Sequence, residues 1–334
     1  MFFRQLFDRQ TCTYTYLLAD AEAGEAVLID PVLELVDRDL QLLRELGFQL
    51  VASIETHVHA DHVTGAWTLK QATGCDIVYP RRGGVPADRL VDAGDTIAFG
   101  RFALEVRPTP GHTDGCTTYV IDGMAFTGDT LMVRGCGRTD FQQGSPEALF
   151  ASAWEHILSL PDETLLYPGH DYKGRTVTTV AEEKLHNPRL GGGRSVQEFK
   201  AIMDGLGLAQ PARIHVALPG NRRLGKPVEW TLPARNDRGA PQRSTGWVRD
   251  NLDGVRVVDV RQPEEFDGPL GHIRGASLVP LATLHQVASE WSRGDRIVTV
   301  CRRGGRSDQA ALGLESMGFT HVASMTGGME SWSS

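Results

Sequence analysis

Directly after a short β-rich run, Gln49–Glu55, the chain reads Thr56-His57-Val58-His59-Ala60-Asp61-His62, and this H-x-H-x-D-H segment constrains the fold more than any other. Imidazole and carboxylate are ligands for zinc and iron. Gly111-His112-Thr113, Gly128-Asp129-Thr130 and Pro168-Gly169-His170-Asp171 follow, so that four motifs place five histidines, with Asp61 and Asp129 among them, where strands are expected to end. Of the six histidines up to residue 170, only His156, on an expected helix, stands outside these motifs. That distribution argues against scattered surface or core histidines.

The elements around the motifs alternate. Thr13–Leu18 and Glu25–Ile29 read as a hairpin pair, and Phe102–Arg107, Thr117–Ile121 and Ala125–Thr127 as further short strands. Helical patterns fall on Val36–Leu46, His62–Thr73, Pro146–Leu158 and Thr176–His186. Leu190–Arg194 holds three consecutive glycines, and Thr231–Thr245 is polar, carries two prolines and lacks apolar periodicity. The second stretch reads as an interdomain linker. Beyond it, strands at Val255–Val260 and Arg296–Val300 and a helix at Ser307–Met317 form a second α/β region. The expected division is 1–233, a linker at 234–243, and 244–334.

A length of 334 residues suits two domains. The net charge of −8 argues against a nucleic-acid partner. No stretch approaches the roughly 18 apolar residues of a membrane span, and the first residues do not read as a secretory signal. Cys12, Cys75, Cys116, Cys136 and Cys301 are scattered, odd in number and without a CxxC pair. This fits reduced thiols and a cytoplasmic location. Assembly into a homo-oligomer is left open.

The four motifs together resemble the metallo-β-lactamase superfamily. The resemblance implies an α/β fold, an αββα sandwich of two mixed sheets with metal at one edge. In dinuclear relatives one metal would use His57, His59 and His112, and a second Asp61, His62 and His170, with Asp129 bridging. All of these residues are present, so the ligand set leaves the metal count open. The run Arg134-Gly135-Cys136-Gly137-Arg138-Thr139-Asp140-Phe141-Gln142-Gln143-Gly144 discriminates further. With His170-Asp171-Tyr172, His186-Asn187-Pro188-Arg189-Leu190 and Ala217-Leu218-Pro219-Gly220-Asn221, it closely resembles persulfide dioxygenases over residues 1–230. Glyoxalase II shares the metal motif and the Gly-Cys-Gly-Arg run but departs after that arginine.

The persulfide dioxygenase resemblance implies one Fe(II) per chain on His57, His112 and Asp129, a facial triad that leaves positions open for substrate and O₂. His59, Asp61, His62 and His170 would then orient ligands and hold bound water. The substrate implied is glutathione persulfide, with sulfite and glutathione as products. Its tail carries two carboxylates, which makes Arg138, Tyr172 and Arg223 candidates for substrate binding. Cys136, near the same motif, reads equally well as a buried small residue.

A second constellation, Cys301-Arg302-Arg303-Gly304-Gly305-Arg306-Ser307, joins an expected strand to an expected helix. Such a turn aims backbone N–H groups at one point, and with the helix N-terminus and the arginines it should lower a thiol pKa. Asp259-Val260-Arg261, Glu264-Glu265-Phe266, Gly271-His272-Ile273-Arg274-Gly275-Ala276, Gly327-Gly328-Met329 and Trp332 surround it, and residues 244–334 resemble a rhodanese domain, a small α/β fold. The loop has four residues between Cys301 and Arg306, one fewer than the similar loop of cysteine phosphatases. The resemblance implies catalysis by Cys301, Arg302 and Arg306, with sulfur passed between thiosulfate and glutathione. The alternatives are a glyoxalase II-like dinuclear zinc thioester hydrolase and a rhodanese-based sulfur carrier that docks to another protein.

Overall fold

The computed structural model describes residues 1–209, 211, 213–227 and 230–333. These residues form two compact units, Met1–Lys226 and Pro227–Ser334.

The first unit is built from two six-stranded sheets. One holds β1 (Phe2–Phe7), β2 (Tyr14–Asp20), β3 (Glu25–Ile29), β4 (Gln49–Ile54), β5 (Asp76–Pro80) and β6 (Arg89–Val91), in that spatial order. The other holds β7 (Thr96–Phe99), β8 (Phe102–Pro108), β9 (Thr117–Ile121), β10 (Met124–Gly128), β11 (Leu165–Pro168) and β12 (Thr178–Thr179), ordered β12-β11-β10-β9-β8-β7. Both sheets are mixed: β1 to β3 pair antiparallel and β3 to β6 parallel, while β10–β11 is the parallel pair of the second sheet.

Side-chain alternation explains the layering. Every residue of β2 is buried. Tyr14, Tyr16 and Leu18 face a core shared with Phe99, Leu104, Tyr119 and Phe126 of the second sheet. Leu17 and Ala19 face the opposite way, onto Val36, Leu43 and Leu69 of the helices Val36–Leu46 and Ala66–Thr73. A third cluster seals the far face of the second sheet with Leu149, Ala153 and Phe199. The result is the expected αββα sandwich.

Two helices start later than the sequence predicts. The one expected from His62 begins at Ala66, because the metal-motif segment is held as irregular backbone. The one expected from Thr176 begins at Val180, since Thr178–Thr179 pairs with β11 and the Thr179 side chain caps the helix by accepting from Glu182 N–H.

The second unit is a parallel sheet, ordered β13-β17-β16-β14-β15, from β13 (Gln242–Arg243), β14 (Arg256–Asp259), β15 (Ser277–Leu278), β16 (Arg296–Val300) and β17 (His321–Met325). Apolar clusters lie on both faces of it. Residues 231–245, expected to be a free linker, belong to this unit. Gln242–Arg243 supplies its edge strand, Asn236 and Gln242 amides donate to Asp308 at 2.8 and 2.9 Å, and Arg235 pairs with Glu315 at 2.7 Å. Arg243 lies against the rings of Trp230 and Trp247, 5.0 and 4.3 Å from their centroids. The segment lacks apolar periodicity because polar contacts anchor it.

Gly111 is the tightest point under the first site. Its φ is +139°, and an added Cβ would lie 2.2 Å from Leu149 N. Gly111→Ala is therefore expected to cost on the order of 2–5 kcal/mol through strain and overpacking. The check is a lowered unfolding midpoint of the first unit; an unchanged midpoint would contradict this packing.

Candidate metal centre and thiol loop

The metal motifs converge because each follows the C-terminal end of a strand: His57–His62 after β4, His112 after β8, Asp129 after β10 and His170 after β11. The first loop is set by Asp30, which follows β3 in a left-handed conformation (φ 51°). Its carboxylate accepts from Thr56 N and Thr56 Oγ1, both at 2.7 Å. With that hydroxyl proton given to Asp30, Thr56 Oγ1 accepts from His57 Nδ1 at 2.9 Å. His57 Nε2 is left as the ligand atom.

His112 is fixed in the same way, since its Nδ1 donates to the Arg138 carbonyl at 2.7 Å. Asp129 Oδ1 is held by His170 Nδ1 at 2.7 Å, while its Oδ2 lies 3.7 Å from His112 Nε2. The ligand atoms of His57, His112 and Asp129 all lie within 4.8 Å of one another. These contacts orient the donors as outer partners of metal ligands do.

The remaining motif residues form a second group, His59, Asp61, His62 and His170, within the same mutual distance. Asp61 Oδ2 bonds both His62 Nδ1 and His170 Nε2 at 2.9 Å. His59 also belongs to a third, interior group, its Nε2 lying 3.2 Å from Asp30 and 3.4 Å from Glu55. His62 Nε2 and His59 Nδ1 are buried without a hydrogen-bond partner among the described residues. Such orphaned imidazole nitrogens are costly unless an ion or water meets them. The donor set therefore fits a bound metal.

Protonation follows from the packing. Burial, then His59, pushes His57 well below the ordinary imidazole range, which keeps it neutral as a ligand must be. Burial opposes ionisation of Asp129, but His170, His57 and His112 together outweigh it and hold the carboxylate ionised. His170 goes the other way: burial disfavours its charge, yet Asp129 and Asp61 raise it well above its usual range. Burial likewise lifts Glu55 to about 7.

The site is braced from a distance. Asn221, fully buried at the end of the helix Ile214–Arg222, donates to the His59 and His62 carbonyls at 2.8 Å and accepts from Thr64 N at 2.7 Å. One side chain thus fixes three backbone groups of the histidine loop.

A cleft of about 760 Å³ opens on His112, Asp129, Asp61 and His170. Arg138 lines it, but its guanidinium is already bound to Asp140 at 2.6 Å and to the carbonyls of Leu208 and Ala209 at 3.0 and 2.5 Å. Tyr172 lines it too, its ring parallel to that of His170 at 6.2 Å. Arg223 ends the helix Ile214–Arg222 and is not among the lining residues. Arg189 and Lys173, not singled out from the sequence, do line the cleft. Arg189 donates to the Cys136 carbonyl at 2.8 Å and, among the described residues, has no carboxylate partner. Cys136 is buried against Met203, and burial lifts its thiol to about 11.

In the second unit, Cys301 follows β16 and is 2% exposed. Gly304, at φ +109°, turns its N–H onto Sγ at 3.1 Å, and Ser307 Oγ lies 3.5 Å away. Burial alone would raise the thiol; the Ser307 hydroxyl and the N–H groups of Ser307, Gly304 and Arg303 outweigh it and lower the thiol. The arginines, expected to add to the pull of the N–H groups, are each bound to a carboxylate. Arg302 and Arg303 meet Glu330 at 2.9 and 2.8 Å, and Arg306 meets Glu265 through two bonds of 2.6 Å. Asp259 and Arg261 form a buried pair at 2.7 Å, and Arg261 also donates to the Glu265 and Gly271 carbonyls.

Comparison with known proteins matches residues 12–170 to the metallo-beta-lactamase superfamily and residues 244–334 to the rhodanese-like domain. The mitochondrial persulfide dioxygenase ETHE1 of Bos taurus is 54% identical over 225 residues, covering 66% of this chain and 88% of that protein. The chain belongs to the ETHE1 persulfide dioxygenase family. The Homo sapiens member is 53% identical over the same coverage. The crystal structure of ETHE1 from Myxococcus xanthus, 50% identical, matches with a TM-score of 0.67 over 68% of this chain and 100% of that one. A Staphylococcus aureus metallo-beta-lactamase structure, 23% identical, shares the fold over 98% of both chains with a TM-score of 0.63.

The ETHE1-type fold implies a bound metal ion. The bovine and human family members are named mitochondrial, so the cytoplasmic expectation finds no support there. Among the described residues, no helix is long and apolar enough to cross a membrane.

Because Asn221 is buried and satisfies three backbone groups, Asn221→Ala is expected to cost about 2–4 kcal/mol. It should also loosen the metal. The checks are thermal unfolding and metal content after dialysis; full metal retention at an unchanged midpoint would remove Asn221 from this role.

Proposed function

We propose that this chain oxidises glutathione persulfide to sulfite and glutathione at one Fe(II) held by His57, His112 and Asp129, and passes sulfur between thiosulfate and glutathione on Cys301. The observation that carries the first half is the convergence of the His57 and His112 imidazoles and the ionised Asp129 carboxylate within 4.8 Å of one another, with His112 and Asp129 lining the cleft. The relatives' printed activity supports the same substrate class. Iron in this triad supplies a redox-active centre with positions free for the terminal sulfur and O₂. In balance, one persulfide, one O₂ and one water give one glutathione and one sulfite.

The chain's own residues have separate tasks in this reading. His170 holds Asp129 turned toward the metal, and Thr56 and the Arg138 carbonyl fix the two imidazoles. Arg189 and Lys173 are the cations available for the glutathione carboxylates. Arg138 shapes the wall by gripping Leu208 and Ala209, and Tyr172 covers His170 at the mouth. Arg223, outside the lining, would act through the helix that carries Asn221.

The group His59, Asp61, His62 and His170 favours a second reading, a dinuclear zinc thioester hydrolase. Elemental analysis separates the two. We expect about one iron per chain and O₂ uptake on glutathione persulfide. Two zinc ions with hydrolysis of a glutathione thioester would replace the dioxygenase reading.

Sulfur transfer rests on the thiol loop, whose Gly304 N–H is turned onto Sγ and whose thiol is lowered. The small molecules implied are glutathione persulfide, O₂, thiosulfate and sulfite. All five cysteines are free, which suits a reducing compartment.

Two substitutions test the assignment of roles. Arg189→Ala is expected to raise KM for glutathione persulfide with kcat little changed, a loss of about 1.5–3 kcal/mol in binding; unchanged kinetics would remove it from the substrate site. Cys301→Ser should abolish transfer from thiosulfate to glutathione while iron content and oxidation of supplied persulfide stay near wild type. Loss of that oxidation with iron still bound would place Cys301 inside the dioxygenase cycle.

A further inference from the structure

The second group of imidazoles and carboxylates meets a residue that belongs to none of the metal motifs. Thr13 is fully buried just ahead of β2 and sets its hydroxyl among three members of that group. Thr13 Oγ1 lies 3.0 Å from His170 Nε2, 3.2 Å from Asp61 Oδ2 and 3.3 Å from His62 Nδ1. Main-chain bonds fix its place whatever the side chain. The Thr13 carbonyl accepts from Asp8 N–H at 2.9 Å, Asp171 N–H donates to the Cys12 carbonyl at 3.2 Å, and Tyr14 N–H donates to the Gly169 carbonyl at 2.8 Å.

The turn ahead of Thr13 decides how that hydroxyl is aimed. The Asp8 carboxylate accepts from the amides of Gln10 and Thr11 at 3.0 and 3.1 Å, and from the Thr11 hydroxyl at 2.6 Å. Thr11 Oγ1, its proton given to Asp8, accepts from Thr13 Oγ1 at 2.7 Å. The Thr13 oxygen therefore turns its lone pairs to His62 Nδ1 and His170 Nε2, the two nitrogens that also lie 2.9 Å from Asp61 Oδ2. One hydroxyl, one carboxylate and two imidazoles thus close a buried network. The contrast with the triad is direct. His57 and His112 each spend Nδ1 on an oxygen and keep Nε2 for a ligand. His170 has both nitrogens engaged, Nδ1 by Asp129 and Nε2 by Asp61 and Thr13. A cation entering this group could take Asp61 along as a ligand, so that contact does not oppose it. Thr13 loses a buried hydrogen bond by the same move, which water cannot replace there.

We propose that Thr13 is a positioning residue that sets the metal count: its hydroxyl, aimed by Thr11 and Asp8, holds His62 and His170 in the network with Asp61 and so keeps a second divalent cation out of this group. The proposal deepens the one-metal reading given above and rests on it. Asp61 and His170 both line the cleft beside His112 and Asp129. Kept free of a cation, they remain hydrogen-bonding groups there, and His170 continues to hold Asp129 in place for the triad. The selection comes from a residue more than forty positions ahead of the first metal motif, which is why a complete dinuclear ligand set can be present in the chain and still serve one ion.

The test strips the full chain of metal with a chelator, offers excess zinc, removes the unbound ion by desalting and counts zinc per chain by elemental analysis. Zinc is the probe because it takes the same nitrogen and oxygen donors and undergoes no redox change. The wild-type chain is expected to hold about one zinc, and Thr13→Val, which keeps the shape and loses the hydroxyl, about two. Thr13→Ser keeps the hydroxyl and should match the wild type. If Thr13→Val fails to fold, judged by circular dichroism, Thr13→Ala carries the test with the same expected gain. Folded Val and Ala variants with the wild-type zinc content overturn the role of Thr13 and leave the one-metal reading standing. A serine variant that gains a second zinc also overturns it, because the hydroxyl would then be without effect. A wild-type chain that itself binds a second zinc overturns the one-metal reading, and the proposal falls with it.

Discussion

The carboxylate of Asp30 is the constraint on which the first unit depends. It lies at the end of one strand and takes both the amide and the hydroxyl of Thr56 at the end of the next. Those two hydrogen bonds from one residue lie where β4 ends and the irregular loop of histidines starts. The carboxylate also settles the tautomer of His57, because a hydroxyl that has given its proton away can only accept from the ring. Everything further out in the centre is referred to this interior anchor. A hydrophobic core of the same volume could hold the sheets together, but it could not choose which nitrogen faces the cleft.

The two units solve one problem by different means. Each must keep a charged, reactive group at the end of a strand in surroundings that penalise charge. In the first, histidines and carboxylates offset one another in alternation: Asp61, His170, Asp129. In the second, uncharged donors converge on one sulfur, and the arginines around it are neutralised by Glu265 and Glu330. A site of compensated ions suits a metal, whose own charge resets the balance on binding. Fixed dipoles suit a single thiolate with no counter-ion of its own.

Much of this was legible in the sequence. The family resemblance carried by the metal motifs implied the sandwich, and those motifs, after β4, β8, β10 and β11, lie together as their strand-end positions implied. The helix Val36–Leu46 was readable to the residue because its apolar face repeats cleanly. What escaped were features set by partners distant in sequence. Arg138, read as an anchor for substrate, lines the cleft but also grips the carbonyls of Leu208 and Ala209, some seventy residues further along the chain. Arg189 looked ordinary because nothing local says that, among the described residues, it has no carboxylate partner. The arginines of the thiol loop have acids from elsewhere in the chain, Glu265 and Glu330. Residues 231–245 read as a tether because hydrogen bonding leaves no periodic trace.

The edge strand Gln242–Arg243 shows that the second unit begins before its recognisable rhodanese-like part. Homology to rhodanese-like domains starts at Ser244, immediately after that strand. A fragment cut there would strip β17 of its neighbour, exposing the Ser324 and Thr326 amides now taken by Pro241 and Arg243. It would also take away both amides that hold Asp308, in the first turn of the helix behind the thiol loop. The bare edge would be free to pair with another copy. The second unit therefore carries a seam upstream of the recognisable domain, and a graft of this module onto another protein succeeds only if the seam travels with it.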